Sequence, residues 1–487
     1  MAKEFTSGEY RRLTAARDRL LRACVSRGAA YLQGNRSKIY TGTLSPGCLR
    51  CSGGTFLCLF LTEKCSRSCF FCLQDRSGPQ VREYEAVEIM NGSRFSSPED
   101  CIKHLRCLGY RGVGFSGGEP FLEFEKLLRY VKKIRSALGG GIYIWAYTNG
   151  DLSTDKNLRA LAAAGLDELR FDLSARNYDL APVRLAARRV KTVAIEIPAI
   201  PEDLNTVVAL LPELRSLGVK HLNLHQLRCT RHNFRAFAQR GYAVVRPKAS
   251  AETSVPESEI TALKIIKAAL DGGGGLAVNY CSSLYKDRFL TRTGRARLAA
   301  YQAGNGGGSP EEGAPTGAGL LRRLYWEGDP RELRAAMRRW NLEAPGSCSL
   351  SGSRLFLQPR LLERRELQDK TVTAAYHYVF LKRKGPSGGG PFPGNAPGRP
   401  GIVESATLAE VALPDRVSKL LFKGLFLDGL TVEEAAGLAA DQAPPGRGRL
   451  RSLKASGQFR DKFEDYEFLS GKLPGYSGSA GGINAGV

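Results

Sequence analysis

Three cysteines, Cys65, Cys69 and Cys72, stand in one short stretch that reads C-S-R-S-C-F-F-C. They follow an apolar run, Phe56 to Leu61, that reads as a buried strand. A loop this tight lets three thiolates converge on one metal centre. Structural zinc takes four protein ligands and leaves no open position. Three thiolates leave a coordination site free, which is how a metal centre binds a substrate. An iron–sulfur cluster with one uncapped iron suits them, because thiolates are the usual cluster ligands.

A second group lies upstream, in Pro46-Gly47-Cys48-Leu49-Arg50-Cys51. A C-x2-C pair beside glycines builds a metal knuckle or a redox dithiol. Two ligands do not close a site, and Cys281 or Cys229 could complete an accessory metal site; unligated thiols are the alternative. Cys58 falls on the apolar run and reads as buried. His225 is a candidate site residue, whereas His104 belongs to a helix and His232 to a loop. No histidine-based zinc constellation and no Ser-His-Asp arrangement is visible.

The elements that must position these thiols repeat. Ser97-Pro98-Glu99-Asp100 starts a helix: a serine cap, proline at the first helical position, then acids at the positive end. A strand from Gly112 to Ser116 delivers Gly117-Gly118-Glu119-Pro120, where paired glycines let the backbone approach a ligand. A helix with Phe124, Leu127, Val131, Ile134 and Leu138 on one face precedes a strand from Ile142 to Tyr147, which ends in Thr148-Asn149-Gly150. Strand and helix thus alternate about every thirty residues, the signature of βαβ units.

Three later strands alternate apolar with polar residues. Arg170, Asp172 and Ser174 interleave one; Glu196 and Thr192 another; Asn223 and His225 a third. Strands covered on both faces read as continuous apolar runs, so alternation places one face against something polar. In a barrel that is the lumen, with the site at the C-terminal strand ends. Arg170, Asp172, Ser174, Glu196, Asn223 and His225 are the expected lining; a solvent-facing strand would read the same way.

The spacing C-x3-C-x2-C, with Phe71 before its last cysteine, resembles the cluster loop of the radical S-adenosylmethionine (radical SAM) superfamily. Gly117 to Pro120 resembles that superfamily's second signature, which holds the methionine amino group. Val278-Asn279-Tyr280-Cys281-Ser282, continued by Tyr285 to Phe289, resembles a branch related to pyruvate formate-lyase activating enzymes, and the likeness covers Cys48 to about Phe289. The resemblance implies an α/β fold, a partial (β/α)6 barrel open on one side, with six strands from Phe56 to His225. It implies that Cys65, Cys69 and Cys72 hold a [4Fe–4S] cluster whose fourth iron binds S-adenosylmethionine. One electron would cleave that cofactor, and a 5′-deoxyadenosyl radical would abstract a hydrogen from the substrate. Cofactor contacts are implied at Phe71, Gly117, Gly118, Glu119, Pro120, Thr148 and Asn149, and at Asp172, Ser174 and Glu196 by their place at the fourth and fifth strand ends. An electron donor such as flavodoxin or ferredoxin is implied as partner.

The substrate stays open: a protein loop, as for a glycyl-radical activase, or an RNA or small molecule. Activases with extra clusters carry added cysteines after the cluster loop, whereas Cys48 and Cys51 precede it. A reading of another class is a non-enzymatic zinc protein that binds nucleic acid through charge.

The formal charge of +23 would attract nucleic acid or acidic proteins, but it is spread along the chain rather than gathered in one arm. Twelve cysteines in 487 residues are too sparse for a disulfide scaffold and suit a reducing compartment. The charged start lacks a signal-peptide core, and no run is long enough to span a membrane, so a cytoplasmic location is expected. The expected organisation is an N-terminal helix and C-x2-C segment (1–54), the barrel (55–290), a basic segment and linker (291–330), a small C-terminal accessory domain (331–476) with its own Gly/Pro linker, and a tail (477–487).

Overall fold

A computed structural model of the chain describes residues 7–32, 35–74, 85–88, 94–230, 232–244, 253–286, 318–342, 348–381, 403–426, 430, 432–441 and 454–459. The chain divides into two compact units, one formed mainly by Met1–Gly294 and the other mainly by Thr316–Tyr476.

In the first unit, parallel strands follow one another across the sheet in chain order: Phe56–Thr62, Gly112–Gly117, Tyr143–Thr148, Glu168–Phe171, Thr192–Pro198 and His221–His225. This is the partial barrel, and a seventh parallel strand, Ala277–Cys281, extends it. The antiparallel strand Asn35–Tyr40 then covers the seventh strand's outer edge. Local chemistry starts the helices where the sequence places them. Ser97 Oγ accepts from Asp100 N with Pro98 behind it, and Thr154 Oγ1 accepts from Asn157 N. Helix Phe124–Leu138 buries Leu127, Tyr130, Val131 and Ile134. Among the described residues no helix is long and apolar enough to cross a membrane.

The first 54 residues do not stand apart from the barrel. Helix Ser7–Val25 packs on helix Pro256–Asp271, where Arg17 Nε donates to Glu259 Oε1 at 3.0 Å and Cys24 is fully buried. The edge strand lends its hydrogen bonds to the seventh strand, so tertiary pairing merges what composition separates.

The lumen is polar, as the alternation requires. Register sets Glu196, Asn223 and Asn279 side by side on three adjacent strands, with His225 beside Cys281 one step above. Asn279 Nδ2 donates to Asn223 Oδ1 at 2.9 Å, and Asn223 Nδ2 to Glu196 Oε2 at 3.2 Å. Arg170, 3% exposed, donates to Glu168 Oε1 and Glu196 Oε2, each at 2.8 Å, and to Ser45 Oγ at 3.0 Å. Helix Pro46–Ser52 lies across the floor. A side chain at Gly47 would meet the Arg170 guanidinium at 2.4 Å, so only glycine lets that helix seat. Trp145 stacks on Phe56 and presses on Gly114.

The second unit holds a five-stranded antiparallel sheet in the order Cys348–Ser351, Arg354–Leu357, Ala318–Glu327, Val372–Leu381, Val403–Leu413. Helix Pro330–Arg339 belongs to the same unit, capped by Asp329. Residues 318–327 form its central strand, although composition assigns them to a linker. The run Leu320-Leu321-Arg322-Arg323 breaks the period of two that marks a strand. Of the expected linker at 305–319, residues 318–319 begin this central strand and 305–317 lie outside the described residues, as do the linker at 385–400 and the tail at 477–487.

Removing one partner of a buried ion network strands the others without compensation. Arg170→Met is therefore expected to cost about 3–5 kcal/mol in denaturant-monitored unfolding, by taking the guanidinium from both Glu168 and Glu196. A loss below about 1 kcal/mol would show that water reaches this network.

Candidate active site

The cluster loop leaves the first strand at Thr62 and crosses the C-terminal end of the sheet. Two glycines hold its start. Gly118 N donates to Thr62 O and Glu119 N to Lys64 O, both at 2.7 Å. A Cβ at Gly118 would meet Lys64 O at 1.9 Å, and one at Gly117, whose φ is +119°, would meet Thr62 O at 2.3 Å. What the paired glycines admit is thus the loop's own backbone. Pro120 opens the short helical turn Pro120–Glu123 that follows.

Glu119 is 1% exposed, and its carboxylate is fully engaged within the protein. Oε1 accepts from Phe121 N at 3.0 Å and Thr148 Oγ1 at 2.9 Å, and Oε2 accepts from Asn149 N at 2.7 Å. Burial pushes this carboxyl up, against the pull of those donors. Glu119 and Thr148 therefore tie the second and third strand ends together.

Asn149 and its neighbour carry the tie on to the cysteines. Asn149 Nδ2 donates to Ser66 Oγ at 2.9 Å and lies 3.8 Å from Cys65 Sγ. Asp151 accepts from Ser66 Oγ at 2.7 Å and from Arg67 Nε and Nη2 at 2.8 and 2.6 Å. The Arg67 fork, with Ser66 and Arg176, holds the Asp151 carboxyl well below the ordinary range despite some burial. Ser66, Arg67, Asp151 and Arg176 are absent from the sequence expectation; the signal that could have found them is an aspartate directly after Thr148-Asn149-Gly150.

The far end of the loop is held by apolar contact. Phe70 and Phe71 pack against Ile200, Leu227, Phe237, Tyr242 and Val255. The Arg240 guanidinium lies 3.8 Å from the Phe70 ring centroid. Phe71, expected beside the cofactor, has its place in this cluster. Cys65 precedes the first anchorage, Cys69 lies between the two and Cys72 follows the second; all three are half-buried and outside any disulfide.

Behind the loop, Asp172 follows the fourth strand and Ser174 lies in the turn Leu173–Arg176. Ser174 N donates to Asp172 Oδ1 at 3.1 Å and the hydroxyl bonds the same oxygen. Burial pushes the Asp172 carboxyl up to about 6. Asn177 and Tyr178 follow in the left-handed region, at φ +53° and +62°, a conformation that costs a non-glycine residue about 1–3 kcal/mol and gathers at functional sites. Glu196 stands lower in the lumen, where His225 Nε2 lies 2.8 Å from its Oε1 and Arg170 takes its Oε2. Burial opposes its charge, but His225 and Arg170 outweigh burial and keep the carboxyl ionised. Of the residues expected to contact the cofactor, Glu119, Thr148 and Glu196 thus spend their polar atoms on the protein, and Asp172 accepts from Ser174 and from the Ala175 backbone.

The donor set tests what the loop could hold. Among the described residues no three His, Cys, Asp or Glu side chains gather closely enough for a single metal ion. An iron–sulfur cluster takes each thiolate on a different iron, so its ligands stand further apart than those around one ion. Three cysteines outside any disulfide on one anchored loop suit a cluster with one open iron, whereas structural zinc takes a fourth protein ligand.

The first unit is thus a parallel, partly closed α/β barrel with three cysteines in the loop after its first strand. The Radical SAM superfamily profile matches residues 59–225, so this part of the chain carries a Radical SAM domain. A Methanocaldococcus jannaschii protein, named as a candidate glycyl-radical enzyme activating enzyme, is 28% identical over 272 residues, 54% of this chain and 68% of that protein. A GTP 3′,8-cyclase of Mycobacterium sp. (strain KMS) is 29% identical over 141 residues, 28% of this chain and 36% of the cyclase. Among solved structures, Streptococcus suis SuiB bound to S-adenosylmethionine aligns with a TM-score of 0.33 at 12% identity, over 47% of this chain and 50% of that one.

Asp172 sets a pH dependence. Its folded pKa, about 6, lies above the ordinary 3.8, so the folded state binds the proton more tightly, and stability falls as pH rises through that window. The fall amounts to at most about 3 kcal/mol. Asp172→Asn should flatten the stability curve between about pH 4 and 6 and leave the variant more stable than wild type above it. An unchanged curve in chemical denaturation would remove Asp172 as its source.

Proposed function

We propose that the protein is a radical SAM enzyme that abstracts a hydrogen atom from its substrate. The observation that carries the reading is the cluster loop: three cysteines outside any disulfide, on a loop held by the Asn149–Asp151 anchor and the Phe70–Phe71 anchor, over a polar lumen. Cys65, Cys69 and Cys72 would hold a [4Fe–4S] cluster, which when bound supplies the electron that cleaves S-adenosylmethionine to a 5′-deoxyadenosyl radical. The chain's own part is position. Glu119 fixes the strand ends, Asn149 orients the loop beside Cys65, and the Asp172 carboxylate at the end of the fourth strand would accept from the cofactor's ribose or face its sulfonium. Trp145, Phe56 and the helix Pro46–Ser52 fill the floor and keep bulk water from below, which protects a reactive intermediate.

The archaeal relative's name favours a protein substrate, so a glycyl-radical activase is the first activity to assay. RNA or small-molecule modification is the competing substrate class. A low-potential donor such as flavodoxin or ferredoxin would deliver the electron, and free thiols throughout the chain suit a reducing, cytoplasmic setting.

The test is anaerobic reconstitution with iron and sulfide, reduction with S-adenosylmethionine present, and assay for 5′-deoxyadenosine. Product should form with the wild type and vanish in Cys65→Ala. Asp172→Ala should keep its iron but bind S-adenosylmethionine about tenfold more weakly, the worth of one hydrogen bond to a charged group. A reconstituted protein that never cleaves the cofactor, or one that takes zinc instead of iron, would return the chain to the non-enzymatic reading.

A further inference from the structure

Cys48 and Cys51 have no part in the cluster loop, yet the fold brings them to a third cysteine. They lie three residues apart on helix Pro46–Ser52, a spacing that turns both toward one face. Cys281 ends the seventh strand. Asn279 Nδ2 lies 3.7 Å from Cys48 Sγ and 3.9 Å from Cys281 Sγ, so one amide bridges the two sulfurs. Cys51 lies within electrostatic reach of both.

Lys38 faces the same group. It is 2% exposed, its Nζ is 2.5 Å from Cys281 Sγ, and it sits over the ring of Tyr285. A fully buried ammonium ordinarily has an anion beside it. Here its described neighbours are thiols.

We propose that Cys48, Cys51 and Cys281 hold a second iron–sulfur cluster, with Lys38 as its buried counter-charge. A structural zinc ion takes four protein ligands, and the sulfurs here are three. A cluster spreads its thiolates over separate irons and, so held, is a net anion that an ammonium balances. Each thiol releases its proton to solvent on ligation. The Asn279 amide supplies the N–H donor toward sulfur that steadies a cluster and tunes its potential. One further argument rests on the proposed radical chemistry: S–H hydrogens in the lumen would be abstracted by a primary carbon radical, and ligation removes them.

The experiment uses the full chain, reconstituted anaerobically with ferrous iron and sulfide. Cys65→Ala/Cys69→Ala/Cys72→Ala should retain roughly half the wild-type iron and sulfide, and Cys48→Ala/Cys51→Ala/Cys281→Ala the other half, as two independent clusters require. If the first variant binds no iron, or the second keeps the full wild-type content, there is no second cluster. Zinc bound there without sulfide also overturns the proposal. If instead the first variant loses nothing, the radical SAM reading fails and the second cluster does not. Lys38→Met, made in the Cys65→Ala/Cys69→Ala/Cys72→Ala background, leaves every proposed ligand in place and guards against a variant that merely misfolds. Its remaining cluster should show a more negative midpoint potential, because the lost positive charge favours the reduced, more anionic state. An unchanged potential would exclude Lys38 as the counter-charge.

Discussion

A carboxylate that water barely reaches holds the working end of the barrel together. Glu119 takes donors from its own turn and from Thr148 and Asn149 on the next strand, while its backbone N–H bonds to Lys64 at the start of the cluster loop. Three strand ends are thereby fixed to one residue. Each bond to a charged acceptor contributes about 1.5–3 kcal/mol, yet burial still leaves the carboxyl raised. Without it the loop would still meet Asn149 and Asp151 through Ser66 and Arg67, but the strand ends would lose their shared acceptor.

The cluster loop is held differently at its two ends, and the difference has consequences for motion. On the third-strand side the contacts are directional: Ser66, Arg67, Asn149 and Asp151 share hydrogen bonds of defined geometry. On the fifth- and sixth-strand side the contacts are apolar and non-directional, through Phe70 and Phe71. Charge-assisted forks fix orientation, whereas aromatic packing tolerates small shifts. Cys65, next to the fork, is thus the most closely positioned of the three thiols.

Below the mouth, the barrel accepts a costly interior. Arg170, Glu168, Glu196, Asn223 and Asn279 form one connected network in place of a hydrophobic core. Such a network is weak support for stability, yet it is rigid when its members are satisfied. The arrangement keeps the lumen lined by fixed dipoles, and it orients Asn279 toward the sulfurs of Cys48 and Cys281. The seventh strand and the antiparallel strand Asn35–Tyr40 beside it supply that side of the lumen, with Lys38 and Cys281 among its lining.

Much of this was legible in the residue order. Alternation on the strands around Arg170, Glu196 and Asn223 marks a polar lumen because strand side chains repeat with a period of two, and caps such as Ser97 act within four residues. The cysteine spacing names its chemistry because a tight loop needs no tertiary help to bring thiols together. What depends on long-range register stayed hidden. No local pattern reveals that Glu119 serves Thr148 and Asn149, that Asp151 grips Arg67, or that the first 54 residues join the barrel. The strand at 318–327 was obscured because its leucines and arginines come in pairs. Lys38, Cys48 and Cys281 sit far apart in the chain, and only the closing of the sheet decides that one amide stands between two of their sulfurs. Local periodicity and short spacing are written in the sequence; which distant groups share a desolvated space is decided by packing alone.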